Sequence, residues 1–152
     1  MFGPRQEIGA SVSFDQRPAR SQKLKSKSTK SKRKKPTVLV VDDERLIADT
    51  MTEILKRSGF HAVCAYDGQS ALELAIQRTP DYVVTDVVMP HMNGVQLAIA
   101  IRKALPATEI LLLSGQAGIA DILDRARKDG YSFELIAKPI HPEKLLRRLN
   151  ET

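Results

Sequence analysis

From Thr37 onward, short apolar runs alternate five times with stretches whose apolar residues recur at helical spacing. The runs are residues 37–41 (TVLVV), 61–65 (HAVCA), 81–85 (DYVVT), 109–113 (EILLL) and 133–137 (FELIA). Most are apolar throughout, as expected of strands covered on both faces. Helices are expected over residues 44–57, 69–78, 94–104, 117–128 and 142–150. In the first, Ile47, Met51, Ile54 and Leu55 share a face, and Gly59 marks a C′ stop. The second carries Ala71, Leu72, Ala75 and Ile76 and stops before Pro80; the third carries Val95, Leu97, Ala98 and Ile101 and stops before Pro106. The fourth ends near Gly130, and the fifth presents Leu145, Leu146 and Leu149. Such alternation implies right-handed βαβ units, hence an α/β fold with a parallel sheet and helices on both faces. Sheets of this kind bind ligands outside the carboxyl ends of their strands.

Charge divides the chain differently. Residues 1–36 hold 11 Lys/Arg against 2 Asp/Glu, while residues 37–152 hold 13 against 16. The overall +6 is therefore a property of the N-terminal segment. That segment includes SQKLKSKSTKSKRKKP, which has too little apolar surface to offset its ordering entropy, so a disordered tail is expected over 1–36. Two readings of the tail stay open. It makes weak contacts with nucleic acid or an anionic surface, or it is a solvated extension without aromatics to stack on bases. Residues 37–152 are enough for one core. The single cysteine, Cys64, excludes an intrachain disulfide and is expected as a small buried hydrophobe. No run is long enough to span a membrane, and no secretory h-region is present, so a cytoplasmic setting is expected.

The polar residues gather where the fold predicts. Asp42-Asp43-Glu44 follow the first strand, Asp86 the third, Ser114 the fourth and Lys138 the fifth. The second strand ends in Tyr66-Asp67-Gly68, a turn-like group. Carboxylates held close raise each other's pKa unless a cation neutralises them. Mg²⁺, which takes carboxylate, water and phosphate oxygens, suits Asp42, Asp43 and Asp86. One carboxylate then remains ionised as a nucleophile toward phosphorus, with the Lys138 ammonium and Ser114 hydroxyl stabilising charge on the phosphoryl oxygens.

In this order and spacing, Asp42-Asp43, DVVMPHMNG (86–94), Ser114 and Lys138-Pro139 resemble the receiver domain of bacterial two-component response regulators. The resemblance covers essentially all of residues 37–152. It implies a flavodoxin-like, doubly wound (βα)5 fold with strand order 2-1-3-4-5. It implies Asp86 as the acceptor of phosphate from a sensor histidine kinase or phosphotransfer protein. Asp42, Asp43, Asp86 and the Val88 carbonyl would hold Mg²⁺, Ser114 and Lys138 would contact the phosphoryl group, and the Lys138–Pro139 bond would be cis. Such a protein signals to a downstream protein, here unknown, as a monomer or phosphorylation-dependent dimer. It is a signalling phosphoacceptor and not an enzyme. The chain ends soon after its last helix, so a stand-alone receiver is expected.

Other readings compete. A pseudo-receiver would bind partners without phosphotransfer. A phosphohydrolase of the haloacid dehalogenase class would want D-x-D after the first strand, which VVDDE lacks. Glu44 is read as a charge favouring the helix N-terminus, Gly94 as serving backbone geometry, and Met89 and Met92 as packing residues. Ser114 precedes Gly115, so a turn role competes there. His61, His91 and His141 lack ligand spacing. Many receivers carry an aromatic three positions before the lysine, where this chain has Leu135; Phe133 has the same pointing parity. The stretch between Ser114 and Lys138 is also slightly longer than usual.

Overall fold

Strands of four to six residues that are apolar on both faces survive only in a sheet with both sides covered. The computed structural model, which describes residues 34–115 and 118–151, has that arrangement. The expected tail, up to residue 33, lies outside the described residues. Among the described residues, five strands alternate with five helices: β1 (Thr37–Val41), α1 (Arg45–Arg57), β2 (His61–Ala65), α2 (Gly68–Arg78), β3 (Tyr82–Asp86), α3 (Gly94–Ala104), β4 (Glu109–Ser114), α4 (Ala120–Lys128), β5 (Glu134–Ala137) and α5 (Pro142–Asn150). The sheet is parallel, in the order β2-β1-β3-β4-β5. This is the flavodoxin-like, doubly wound fold.

Alternation along the strands divides the core in two. Leu39, Val41, Val83, Ile110 and Leu112 pack with Ala71 and Ala75 of α2, Val95, Leu97, Ala98 and Ile101 of α3, and Ala126 of α4. Val38, Val40, Val84, Leu111, Leu113 and Ile136 face the other way, onto Ala48 and Leu55 of α1 and Leu145 and Leu149 of α5. Arg148 fastens α5 to the sheet through Glu134, with Nε 2.9 Å from both carboxylate oxygens, and through Glu109 at 3.3 Å. No helix among the described residues is long and apolar enough to cross a membrane.

Several boundaries and burials differ from expectation. β3 runs one residue later, because Asp86 keeps its place in the ladder opposite Leu113, while the Asp81 carboxylate accepts the Thr37 amide at 2.8 Å. α4 starts at Ala120 and not near 117, since Gly118 sits at φ +93, outside the helical region. Ile76 is half exposed, and α2 buries its alanines instead. Cys64 is only partly buried; its thiol lies 3.5 Å from both the Asp49 carboxylate and the Tyr66 hydroxyl, which are themselves 2.6 Å apart. β2 is an edge strand, so one flank of Cys64 lacks a neighbouring strand.

Leu112→Ala, at a fully buried position between β3 and β5, is expected to cost about 2–5 kcal/mol in denaturant unfolding. Leu46→Ala, at a position 79% exposed, should change stability by no more than about 0.5 kcal/mol.

Candidate functional site

Because all five strands are parallel, their carboxyl ends lie along one edge of the sheet. Asp42 follows β1 directly, Asp86 is the last residue of β3, Ser114 the last of β4, and Lys138 follows β5. Asp86 and Ser114 thus end their strands, where the sequence suggested positions just beyond them.

Carboxylate oxygens of Asp42, Asp43 and Asp86 lie within 4.8 Å of one another, a cluster able to hold a divalent metal ion. Their exposures differ. Asp42 is 3% exposed, Asp86 half-buried and Asp43 open to solvent. The Lys138 ammonium reaches between two of them, donating to Asp42 Oδ2 at 3.3 Å and lying 3.5 Å from Asp86 Oδ1. Burial pushes the Asp86 carboxyl up from its ordinary value; Lys138 pulls it down and Asp42 raises it further, with a net upward shift. Burial opposes the charge on Lys138, but Asp86 and Asp42 outweigh it and its pKa is raised.

The turn after β1 is built by Asp42 itself. Its Oδ1 accepts the Glu44 amide at 3.0 Å. Glu44 occupies the N-cap of α1, where its charge favours the helix N-terminus, and it makes no side-chain cap bond. The Asp42 carboxylate satisfies the amide of the N-cap residue, and the Glu44 side chain stays in solvent. The loop after β3 is anchored at its far end. Asn93 and Gln96 form a reciprocal capping box on α3, at 2.8 and 2.9 Å. The sequence reading missed that box, though N-x-x-Q ahead of an apolar run is a legible signal. Met89 is buried and Met92 packs against the same core, as expected. The Gly68 backbone abuts Met92, so the loops after β2 and β3 support each other.

Ser114 is buried at this edge. Its carbonyl accepts the Lys138 amide at 2.9 Å, tying the ends of β4 and β5 together. The Lys138–Pro139 peptide is cis. Val88, two residues beyond Asp86, is 41% exposed. The three histidines are exposed, and none joins an acidic or cysteine cluster among the described residues. Leu135 is 42% exposed. Phe133 lies ahead of β5, stacked on Tyr131 at 6.4 Å and capped by the Arg102 guanidinium at 5.1 Å. It stands at the opposite end of β5 from Lys138.

Known proteins share this frame. Residues 38–150 match the family described as the response regulator receiver domain. The chain is 34% identical over 113 residues to a probable transcriptional regulatory protein, TcrX, of Mycobacterium tuberculosis, covering 74% of this chain and 47% of that one. It thus spans about half the length of that curated relative. Among solved structures it is similar to the Vibrio cholerae chemotaxis protein CheY4 (TM-score 0.67, 30% identity, 76% of this chain and 97% of that one). It is also similar to a response regulator receiver domain protein from Clostridium thermocellum (TM-score 0.68, 28% identity, 76% and 91%).

A raised carboxyl pKa means that the ionised form is disfavoured in the folded protein. That group's stabilising contribution is full below the unfolded value near ~4 and is lost as pH rises through the folded value. Asp86→Asn is therefore expected to raise Tm by about 2–5 °C at pH 7 in chelator. The gain should vanish below about pH 4, as followed by thermal melts across pH.

Proposed function

The chain belongs to the response regulator receiver-domain family, whose members are phosphoacceptors and not enzymes, and from that premise we propose that Asp86 is the residue phosphorylated. The carrying observation is the cluster of Asp42, Asp43 and Asp86 with Lys138 inserted between two of its members. Asp42, Asp43, Asp86 and the Val88 carbonyl would hold Mg²⁺, a hard cation that suits carboxylate oxygens. When bound, the ion neutralises the carboxylates and shares charge with the phosphoryl oxygens.

The chain's own residues do the rest. An Asp86 oxygen forms a bond to phosphorus while the bond from phosphorus to the donor's imidazole nitrogen breaks, leaving its electron pair on that nitrogen. Lys138 pairs with the phosphoryl oxygens, and the Ser114 hydroxyl donates to them. The donor is a sensor histidine kinase or a phosphotransfer protein, and the readout is a downstream protein in a cytoplasmic signalling route. An apolar groove of about 360 Å³ between α1 and α5, lined by Leu46, Ile47, Met51, Ile54, Ile140 and Leu146, supports a protein donor. Its lining begins a few residues after Asp43 and after Lys138, so a partner seated there reaches the same edge.

Incubation with acetyl phosphate and Mg²⁺ is expected to add one phosphoryl group, seen as a mass increment on the intact protein. Asp86→Asn should abolish it, and Asp43→Asn should weaken Mg²⁺ binding at least about tenfold. Equal labelling of wild type and Asp86→Asn contradicts the assignment.

A further inference from the structure

Asp86 reacts through its side chain, but the structure also holds its main chain with unusual care. Thr85, 0% exposed, donates its hydroxyl to the Asp86 carbonyl at 3.0 Å. Strand alternation turns Thr85 to the face that α2, α3 and α4 cover, away from the face of Asp86. From that side α3 begins at Gly94, whose bare Cα lies against the same carbonyl. A Cβ at position 94 would overlap the Asp86 carbonyl oxygen and lie 2.9 Å from both its carbon and the Val87 Cα. The next peptide is held as well. The Val87 amide donates to Leu113 at 3.0 Å, and the Val87 carbonyl accepts from the Gly94 amide at 2.8 Å.

We infer that Thr85 and Gly94 are positioning residues: the Thr85 hydroxyl and the side-chain-free surface of Gly94 clamp the Asp86 carbonyl and so aim its carboxylate. The inference rests on Asp86 being the phosphoacceptor. A buried threonine hydroxyl bonds a carbonyl that its local backbone brings within reach. Thr52, also buried, bonds the carbonyl four residues earlier in its own helix, at 2.7 Å. In strand β3, where the carbonyl four residues earlier is out of reach, the Thr85 hydroxyl holds the Asp86–Val87 peptide, one of the two that flank the Cα of the reacting group. Gly94 works through contact: any side chain there pushes backbone, which has no rotamer to yield. Together they convert the docking of α3 into the orientation of Asp86.

The test compares wild type, Thr85→Val and Thr85→Ser in acetyl phosphate labelling, read as rate against donor concentration, with Tm measured alongside. Thr85→Val keeps the shape and loses the donor. It should lower the maximal rate about tenfold, with the half-saturating donor concentration little changed and Tm within a few degrees. Thr85→Ser, which restores the hydroxyl, should return the rate to within about twofold of wild type. A Thr85→Val protein labelling at the wild-type rate overturns the inference, as does a Thr85→Ser protein as slow as Thr85→Val. Gly94→Ala probes the clamp from the other side, and a folded variant labelling like wild type also overturns it. If wild type itself fails to label, the assignment of Asp86 falls first and the clamp with it.

Discussion

Mutual repulsion among three carboxylates is the constraint around which this molecule is arranged. Asp42, Asp43 and Asp86 bring ligand oxygens within 4.8 Å of one another, with the Lys138 ammonium against two of them. Charges at such spacing relax apart unless a rigid frame prevents it. The frame is the central part of the sheet. β1 and β3 are adjacent strands with buried interiors, and Val41 and Thr85 sit directly opposite one another just before Asp42 and Asp86. Burial that stabilises the core thus also holds the acids together, and desolvation, with the Asp42 charge adding to it, raises the Asp86 pKa.

The neighbouring elements each fix one coordinate of the site. β4 and β5 are joined at their ends by the Lys138 amide and the Ser114 carbonyl, which sets the lysine's reach. α3 closes on the Asp86 backbone at Gly94 and is started by the Asn93–Gln96 box. A shift of α3 and a shift of Asp86 are therefore one event, whereas α1 and α5 pack on the opposite face. The aromatic side chains ahead of β5 meet α3 at Arg102, away from the end that touches Asp86. Phe133 is engaged with Tyr131 and Arg102, the Arg102 Nε is buried without a hydrogen-bond partner, and Leu135 is open to solvent.

Periodicity made most of the fold legible. The limits of β1, β2, α3 and α5 follow from apolar runs bounded by Pro, Gly and charged residues. The four acidic and basic pocket positions could be read because strand ends of a parallel sheet converge, so linear spacing translates into proximity. What escaped depends on atomic contact. The string places Thr52 in a helix, where its hydroxyl bonds the carbonyl four residues back, but for Thr85 in a strand it gives no sign that the partner is the Asp86 carbonyl. Cys64 read as a buried hydrophobe because its neighbours are apolar, but its strand is at an edge beside Asp49 and Tyr66. Glu44 was legible as a charge at the helix start, but the bond from its amide to the Asp42 carboxylate was not.

A melting series against Mg²⁺ concentration tests most directly whether a divalent cation relieves the repulsion at Asp42, Asp43 and Asp86. Wild-type Tm should climb with Mg²⁺ as a single saturable site, by the linkage between ligand binding and folding. The climb should be smaller in Asp43→Asn, whose side chain is exposed and whose replacement leaves the core intact. A wild-type Tm that does not respond to Mg²⁺, or an equal response in Asp43→Asn, contradicts the account.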